Sequence, residues 1–305
     1  MAEQFVKQHI VPKRYLDRFT FEKDGKPVIG VRLTTKDKPK FFTSPTEKVG
    51  YIKNFYDVTD RDDPKYWEHY LAREFDTLCG APLENIIANI TLLFPKYRLT
   101  VSDKKTLSRI IISQLFRTPQ CLERIYKIAD ESIGPFKKAY LSTFTKYERK
   151  QIEGVVNNIL VPNQWKKEKL FNGVFSEENF AEVSEFLENN IWVVLYNTIS
   201  ESMPFVTSDN PVLLTEKNNK ETGVFNVKFN SPTACLYFPL TPKIMIMNCN
   251  SDSALFFPLQ IDDGKVTTID DMRFICDVNT KIINQCFRHS FIPEKLFKEL
   301  YDKKH

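Results

Sequence analysis

The chain is poor in glycine, with 9 glycines against 25 phenylalanines among its 305 residues. It contains no glycine-rich phosphate loop, no dinucleotide-binding fingerprint and no HExxH pair of metal ligands. These absences disfavour a nucleotide-cradling enzyme of the usual kinds. With 42% hydrophobic and 13% aromatic residues, the composition instead indicates an ordered globular protein with an aromatic-rich core.

Long apolar runs and paired cysteines are also missing. No stretch of about 18 apolar residues occurs, and the N-terminal segment has no apolar run, so the sequence predicts neither a membrane span nor a signal peptide. The six cysteines stand singly, without a CxxC pair or a histidine at ligand spacing, which favours buried free thiols. We therefore expect a cytoplasmic protein without a cofactor. The sequence leaves a divalent metal and the oligomeric state open.

The formal net charge of +4 is unevenly distributed along the chain. Residues 96–170 carry 16 lysines and arginines against 7 aspartates and glutamates. A region this basic could attract the phosphates of a nucleic acid, although lysines on solvated helix faces are ordinary. Nucleic acid is therefore one of the expected partners, but the charge alone does not establish it.

The hydrophobic periodicity changes along the chain. Residues 26–42 show the pattern of a β-hairpin, and residues 64–93 that of one helix, with further helices up to about residue 190. A helix from about residue 269 and a short one after Pro293 end the chain. The strands expected between these helical regions are 191–199, 204–207, 212–214, 224–229, 235–240 and 244–247.

We predict an α+β protein from this order of elements. Its mainly antiparallel sheet is built from the N-terminal hairpin and the C-terminal strands, with a large helical insertion packed beside it. The whole chain, 1–305, would form one composite domain. Its expected parts are an N-terminal β part over 1–60, the helical insertion over 64–190, a β-rich part over 191–290 and a C-terminal helix over 293–305.

The segment QHIVPKRYLDRF at residues 8–19 holds the first candidate for chemistry. It places His9, one of only four histidines, near an apolar face that includes Val11, Tyr15 and Leu16. That face can anchor a segment that would otherwise fray. The ordinary pKa of histidine, near 6.5, suits His9 to proton transfer or anion contact around neutral pH.

Two other polar features are candidates. Ser208, Asp209 and Asn210 lie between two short apolar runs and so at the end of a strand, where they could act in catalysis or form a local Asx-type turn. Arg117 ends a strongly apolar helix, and a buried guanidinium needs a carboxylate or phosphate partner. Glu74 or Asp209 could supply that partner, and an ion pair and an anion site are both open.

Several short motifs together resemble a bacterial family, the domain-of-unknown-function 4238 family. The similarity rests on QHIVPKRYLDRF, on the FRTP of residues 116–119, on the FVTSDNPV of residues 205–212, on the FPLTP of residues 238–242, and on Asn279 with Arg288. It extends from about Gln8 to Ser290. The residues at family motif positions are His9, Pro12, Tyr15, Arg117, Ser208, Asp209, Asn210, Pro242, Asn279 and Arg288.

The resemblance implies a role in bacterial anti-phage defence, because similar proteins occur as single-gene defence candidates. The polar motif residues have acid/base and oxyanion-stabilising ability but form no obvious metal cage. The leading hypothesis is a cytoplasmic nuclease, with RNA a more probable substrate than DNA. The alternative is a non-enzymatic sensor or binding module, for example for a phage protein, in which the same residues are structural.

The nuclease hypothesis gives each candidate residue a role. His9 is the general acid/base, and Asp209 orients it or serves as a second base. The expected catalytic set is His9, Asp209, Asn210 and Arg117. The expected phosphate-binding residues are Arg288, Arg14 and Asn279, and the structural or orienting residues are Glu74, Tyr15 and Ser208.

Overall fold

The structure is a computed structural model that describes most of the chain. The described residues are 7–35, 38–58, 61–157, 163–216, 222–223, 227, 231–250 and 262–302. The strand expected over 224–229, Val227 apart, lies outside them, as do residues 158–162 of the region expected to be helical.

The α+β class is confirmed, with ten α-helices and twelve strands among the described residues. The strands are β1 (Lys7–His9), β2 (Phe21–Lys23), β3 (Lys26–Leu33), β4 (Lys40–Ser44), β5 (Tyr51–Lys53), β6 (Ile191–Asn197), β7 (Thr207–Ser208), β8 (Leu213–Glu216), β9 (Ala234–Pro239), β10 (Ile244–Cys249), β11 (Val266–Ile269) and β12 (His289–Ile292). The helices are α1 (Lys13–Leu16), α2 (Tyr66–Glu74), α3 (Ala81–Leu92), α4 (Val101–Phe116), α5 (Pro119–Ser142), α6 (Lys146–Asn157), α7 (Asn163–Phe175), α8 (Glu177–Glu188), α9 (Met272–Asn284) and α10 (Glu294–Asp302).

The strands are divided between two larger sheets and one short pair. One sheet has the order β11-β6-β10-β9-β8, and all its neighbours are antiparallel except β11 and β6. The other has the order β2-β3-β12-β7, with β4 paired to β3. Strand β12 is therefore the link between the N-terminal hairpin and the C-terminal part of the chain. The short pair is β1 with β5.

The single helix expected over 64–93 is wrong. The structure breaks it into α2, a 3-10 turn over Asp76–Cys79, and α3. Pro82 lies in the first turn of α3, where its missing N–H leaves no hydrogen bond unmade. In the middle of one continuous helix the same proline would break a hydrogen bond. At Gly80, a Cβ atom would come within 2.3 Å of Nη1 of Arg14, so a side chain there would displace the arginine. The break changes which side chains after residue 74 face the core.

The core joins the first residues of the chain to its last strands. Val11 and Leu16 are fully buried in a hydrophobic cluster that also contains residues of α3, α4, β9 and β10. The ring of Tyr15 stacks on that of Phe238, with centroids 5.2 Å apart. The N-terminal segment is therefore anchored, as its apolar face predicts.

Two further expectations concern the cysteines and the membrane. All six cysteines are free, and four are buried, but Cys276 is exposed and Cys286 is intermediate, so the expectation of burial is wrong for these two. Cys276 lies on the exposed face of the amphipathic helix α9. Among the helices that the structure describes, none is long and apolar enough to cross a membrane.

Candidate functional site

The opening motif folds as a strand followed by a short helix. His9 lies on β1 opposite Tyr51 of β5, with the two rings 6.0 Å apart and edge to face. Pro12 precedes the first turn of α1, where its fixed φ suits the entry to a helix. The buried Tyr15 and Leu16 of α1 then hold the segment on the core. His9 is thus fixed by strand pairing on one side and by packing on the other.

Arg117 is the ion-pairing centre beside this strand. Its side chain is 0% exposed, and its Nη1 donates to Oδ1 of Asp76 at 2.5 Å. Its Nε donates to the main-chain carbonyl of Ile10 at 3.0 Å. Because a guanidinium only donates, Gln114 turns its amide oxygen toward Nε and Nη2, at 3.0 and 3.3 Å. The arginine therefore ties the end of α4 to the residue that follows His9.

The charges of this ion pair reach Tyr56, whose hydroxyl donates to the main-chain carbonyl of His9 at 3.1 Å. Burial raises the pKa of Tyr56, and the positive charge of Arg117 lowers it. The negative charges of Asp76 and Glu68 raise the pKa further. One arginine and two carboxylates therefore act electrostatically on this buried hydroxyl.

The side chain of Gln8 connects strand β1 to the carboxylates of Asp57 and Glu68. Its fully buried amide donates from Nε2 to Oδ1 of Asp57 at 2.5 Å and accepts from the main-chain N–H of Tyr56 at 2.6 Å. Burial raises the pKa of Glu68, the neighbouring amide of Gln8 lowers it, the charge of Asp57 raises it, and the charges of His69 and Lys65 lower it. Oε2 of Glu68 is buried and has no hydrogen-bond partner among the described residues.

The protonation of His9 is set by these surroundings. Burial lowers its pKa, the charge of Asp76 opposes that effect, and Arg117, Lys13 and Lys7 lower the pKa further. The imidazole is therefore neutral at pH 7. Its Nε2 atom is buried and, within the described part of the chain, makes no hydrogen bond. We call the whole set the N-terminal polar cluster: Gln8, His9, Tyr56, Asp57, Glu68, Asp76 and Arg117.

Asp209 belongs to a different network. Its carboxylate is 1% exposed and accepts three main-chain N–H groups, from Phe287 at 2.8 Å and from Arg288 and His289 at 2.7 Å each. Burial raises the pKa of Asp209 to about 6, although the three N–H groups act in the opposite direction. The carboxylate therefore closes the turn between α9 and β12.

Ser208 and Asn210 also bond to main chain. The Ser208 hydroxyl donates to the carbonyl of Asn210 at 2.8 Å and accepts from its N–H at 3.1 Å, the local turn considered from the sequence. The Asn210 amide donates to the carbonyl of Gln285, and the Gln285 amide returns a bond to the carbonyl of Asn210 at 2.8 Å. Asn210 and Thr118 line one cavity of about 360 Å³, where the SDN and FRTP motifs meet.

Asn279 and Tyr15 hold neighbouring chain segments together. Asn279 donates to the carbonyl of Pro204 at 2.9 Å and accepts from the N–H of Val206 at 3.0 Å. The buried hydroxyl of Tyr15 donates to the carbonyl of Pro239 at 2.7 Å and lies 2.7 Å from the hydroxyl of Thr207. Both side chains therefore use their polar atoms for hydrogen bonds inside the core.

The remaining candidates lie at the surface or in other ion pairs. The exposed Arg288 contributes its main-chain N–H to Asp209, and Arg14, also exposed, covers Gly80. Glu74 accepts from Nε of Arg73 at 2.8 Å and lies 3.7 Å from Arg109. The ion-pair partner of Arg117 is therefore Asp76. It is neither Glu74 nor Asp209, the two carboxylates considered from the sequence.

The described contacts bring two of the sequence candidates, His9 and Arg117, into one cluster and place Asp209 in another. Sequence reasoning missed Asp57, Glu68 and Asp76. Asp76 was hidden by the expected continuous helix, which gave it no special position. Pro82, six residues later, was the available signal that the helix ends before Asp76. Among the described residues, no group of three His, Cys, Asp or Glu could hold a metal ion.

The fold and this site define an α+β protein whose N-terminal strand carries a histidine against a buried arginine-carboxylate pair. The sequence profile of the family described as protein of unknown function (DUF4238) matches residues 7–292. The chain belongs to this family. No curated protein and no solved structure matches the chain.

Proposed function

We propose that the protein is a nuclease of anti-phage defence that acts in the cytoplasm and cleaves RNA in preference to DNA. The observation that carries this proposal is the buried Nε2 of His9, which has no hydrogen bond among the described residues and lies beside Arg117 and Asp76. A neutral imidazole with a free ring nitrogen is ready to accept a proton.

Glu68 supplies the second proton-transfer group in this proposal. Burial raises the pKa of Glu68 and lowers that of His9, so the two pKa values move toward each other. A carboxylic acid of raised pKa holds its proton to higher pH and can donate it, and a neutral imidazole can accept one. Arg117 acts as a positioning residue, because it is fully buried and holds both Asp76 and the carbonyl of Ile10.

RNA suits this chemistry because it carries its own nucleophile. His9 would take the proton of a 2′-hydroxyl as that oxygen attacks the adjacent phosphorus, and Glu68 would give a proton to the departing 5′-oxygen. The products would be a 2′,3′-cyclic phosphate and a 5′-hydroxyl. Lys7 and Lys13, which act on His9 electrostatically, would face the phosphate. Substrate binding must uncover Nε2 of His9 for this step.

The test is cleavage of labelled single-stranded RNA and DNA by the purified chain, with magnesium and with a chelator. His9→Ala should lower the rate about 100-fold or more without changing the fold. His69→Ala is the control, because His69 is exposed, pairs with Asp63 on the surface, and acts on the N-terminal polar cluster through its charge on Glu68 and not through a described hydrogen bond. The proposal fails if the wild type cleaves neither substrate, or if His9→Ala cleaves as fast as the control.

A binding module is the second candidate, and a specific observation favours it. Tyr15, Asp209 and Asn279, all at family motif positions, use their polar atoms on main chain or core hydroxyls. Residues at motif positions that serve stability do not indicate that the protein catalyses a reaction. This candidate gains if Asn279→Ala lowers the melting temperature by several degrees, no substrate is cleaved, and a defined phage protein binds the wild type.

A further inference from the structure

The helical hairpin of α5 and α6 presents an unusual surface. Beyond residue 128 in α5, and throughout α6, nearly every described side chain is exposed or half-buried. Leu141 and Val156 are the two buried ones. Three aromatic rings lie on this surface: Phe136 is 74% exposed, Tyr140 55% and Tyr147 74%. Large rings grouped in solvent mark a binding surface more often than isolated ones do.

The tip of the hairpin is also basic, whereas the other acidic residues of α5 and α6 lie before residue 132 and after residue 152. Between residues 136 and 150 the chain has five lysines and arginines and a single acidic residue, Glu148. That carboxylate is used locally, because it accepts from the N–H and the hydroxyl of Thr145 at 2.9 and 2.7 Å and caps α6. Lys146 and Lys150 are one helical turn apart, and Tyr147 lies next to them. Aromatic and positively charged residues therefore alternate along the chain at this tip.

The hairpin is held in place, so its surface is presented in a fixed form. Nε of Arg149 donates to the carbonyl of Leu141 at 2.9 Å and ties α6 to α5. Nζ of Lys166 donates to Asp130 at 2.7 Å and ties α7 to α5. Phe136 and Tyr140 are four residues apart on one helix face, about 6 Å along the axis.

We propose that this surface, defined by Phe136, Tyr140, Tyr147, Lys146 and Lys150, binds single-stranded nucleic acid. Bases stack on the exposed rings and the lysines contact the phosphates, which is how proteins bind single strands without reading their sequence. The charge favours a polyanion over an apolar protein groove. The inference rests on the proposed function, because it assigns a binding surface to the substrate of the His9 site.

The experiment uses the full chain with His9→Ala, so that the strand is not cleaved during measurement. Binding of a fluorescein-labelled 20-nucleotide single-stranded RNA is followed by anisotropy at two salt concentrations. Each of Phe136→Ala and Tyr147→Ala should weaken binding about tenfold, the typical loss for one stacked base. Lys146→Ala with Lys150→Ala should reduce the slope of log Kd against log salt by about 1.4.

Phe42→Ala is the matched control, because Phe42 is an exposed ring outside the hairpin. The affinity of this variant for the RNA should equal that of the His9→Ala parent. Unchanged affinity in the ring variants, or no binding by the parent, overturns the inference. Preferential binding to phosphatidylserine vesicles or to a phage protein overturns it as well. If the ring variants lose binding but the wild type does not cleave RNA, the surface stands and the His9 proposal fails.

Discussion

Replacing Arg117 with methionine removes the ion pair and leaves a side chain of similar length. The guanidinium is 0% exposed, whereas the carboxylate of its partner Asp76 is 27% exposed. The hydrogen bonds to Asp76 at 2.5 Å and to the carbonyl of Ile10 at 3.0 Å disappear, and so do those that Gln114 accepts. Methionine fills the space flexibly, so the change tests the polar contacts more than the packing.

The size of the effect follows from those contacts. A hydrogen bond to a charged group contributes about 1.5–3 kcal/mol, and one between neutral groups about 1 kcal/mol. Removing one partner of a buried pair costs about 3–5 kcal/mol when the other charge stays buried. Because Asp76 retains partial contact with solvent, we expect Arg117→Met to lower the free energy of unfolding by about 3 kcal/mol, at the low end of that range.

The assay is urea unfolding followed by far-UV circular dichroism. Arg109→Met is the matched control on the same helix, because its guanidinium is 31% exposed and lies 3.7 Å from Glu74. It should cost less than about 1 kcal/mol. Combining Arg117→Met with Asp76→Asn should show a coupling energy of at least about 1.5 kcal/mol, which separates the pair from its surroundings.

A loss below about 1 kcal/mol for Arg117→Met, or equal losses at Arg117 and Arg109, would refute the structural reasoning. The pKa of His9, measured by NMR, gives an independent readout. Arg117 lowers that pKa and Asp76 raises it. Arg117→Met should therefore raise the pKa of His9, and Asp76→Asn should lower it. A shift in the opposite direction would contradict the placement of these charges.

Two further predictions concern the networks outside the N-terminal polar cluster. Tyr15→Phe removes two hydrogen bonds of a buried hydroxyl and should lower the free energy of unfolding by about 1–3 kcal/mol in a urea titration. The folded pKa of Asp209, about 6, is raised, so its contribution to stability falls as the pH rises from about 4 to 6. The folded pKa of His289, about 4, is lowered by burial and by the charge of Arg288, so its contribution rises with pH between about 4 and 6.5. The two effects oppose each other, so Asp209→Asn should make stability rise more steeply with pH than in the wild type, by at most about 1.4 kcal/mol per pH unit. An unchanged slope would contradict the raised pKa.

The long elements and their order were predictable from the sequence. The N-terminal hairpin, the amphipathic helices and most C-terminal strands have clear periodicity, which is enough for the α+β class. Strand β12 was not predicted, because a strand of four residues, one short turn after a helix, gives too little periodicity. That omission mattered, since Asp209 binds the turn that leads into β12. Without the strand, nothing in the sequence distinguished Asp209 from a catalytic carboxylate.

Half of the candidate site was predictable for a similar reason. His9 and Arg117 stand out as polar residues in strongly apolar segments. Asp76 and Glu68 do not, because acidic residues in a helical segment are ordinarily solvated. Their position depends on where α2 ends and how the following turn packs, and this is decided by tertiary contacts such as Arg14 over Gly80. Only the structure therefore shows which charged side chains form pairs.

Substitutions at different residues of the N-terminal polar cluster should change different properties, activity in one case and stability in another. Within the described part of the chain, Nε2 of His9 has no hydrogen-bond partner, so His9→Ala should cost little stability and, in the proposed mechanism, remove proton transfer. Arg117 binds the carbonyl of Ile10, the residue after His9, so its loss alters both stability and the position of the imidazole. Asp76 is shared between them, because it pairs with Arg117 and raises the pKa of His9. If His9 is a base, activity must fall most for His9→Ala and stability most for Arg117→Met; a purely structural cluster would make the two losses run in parallel.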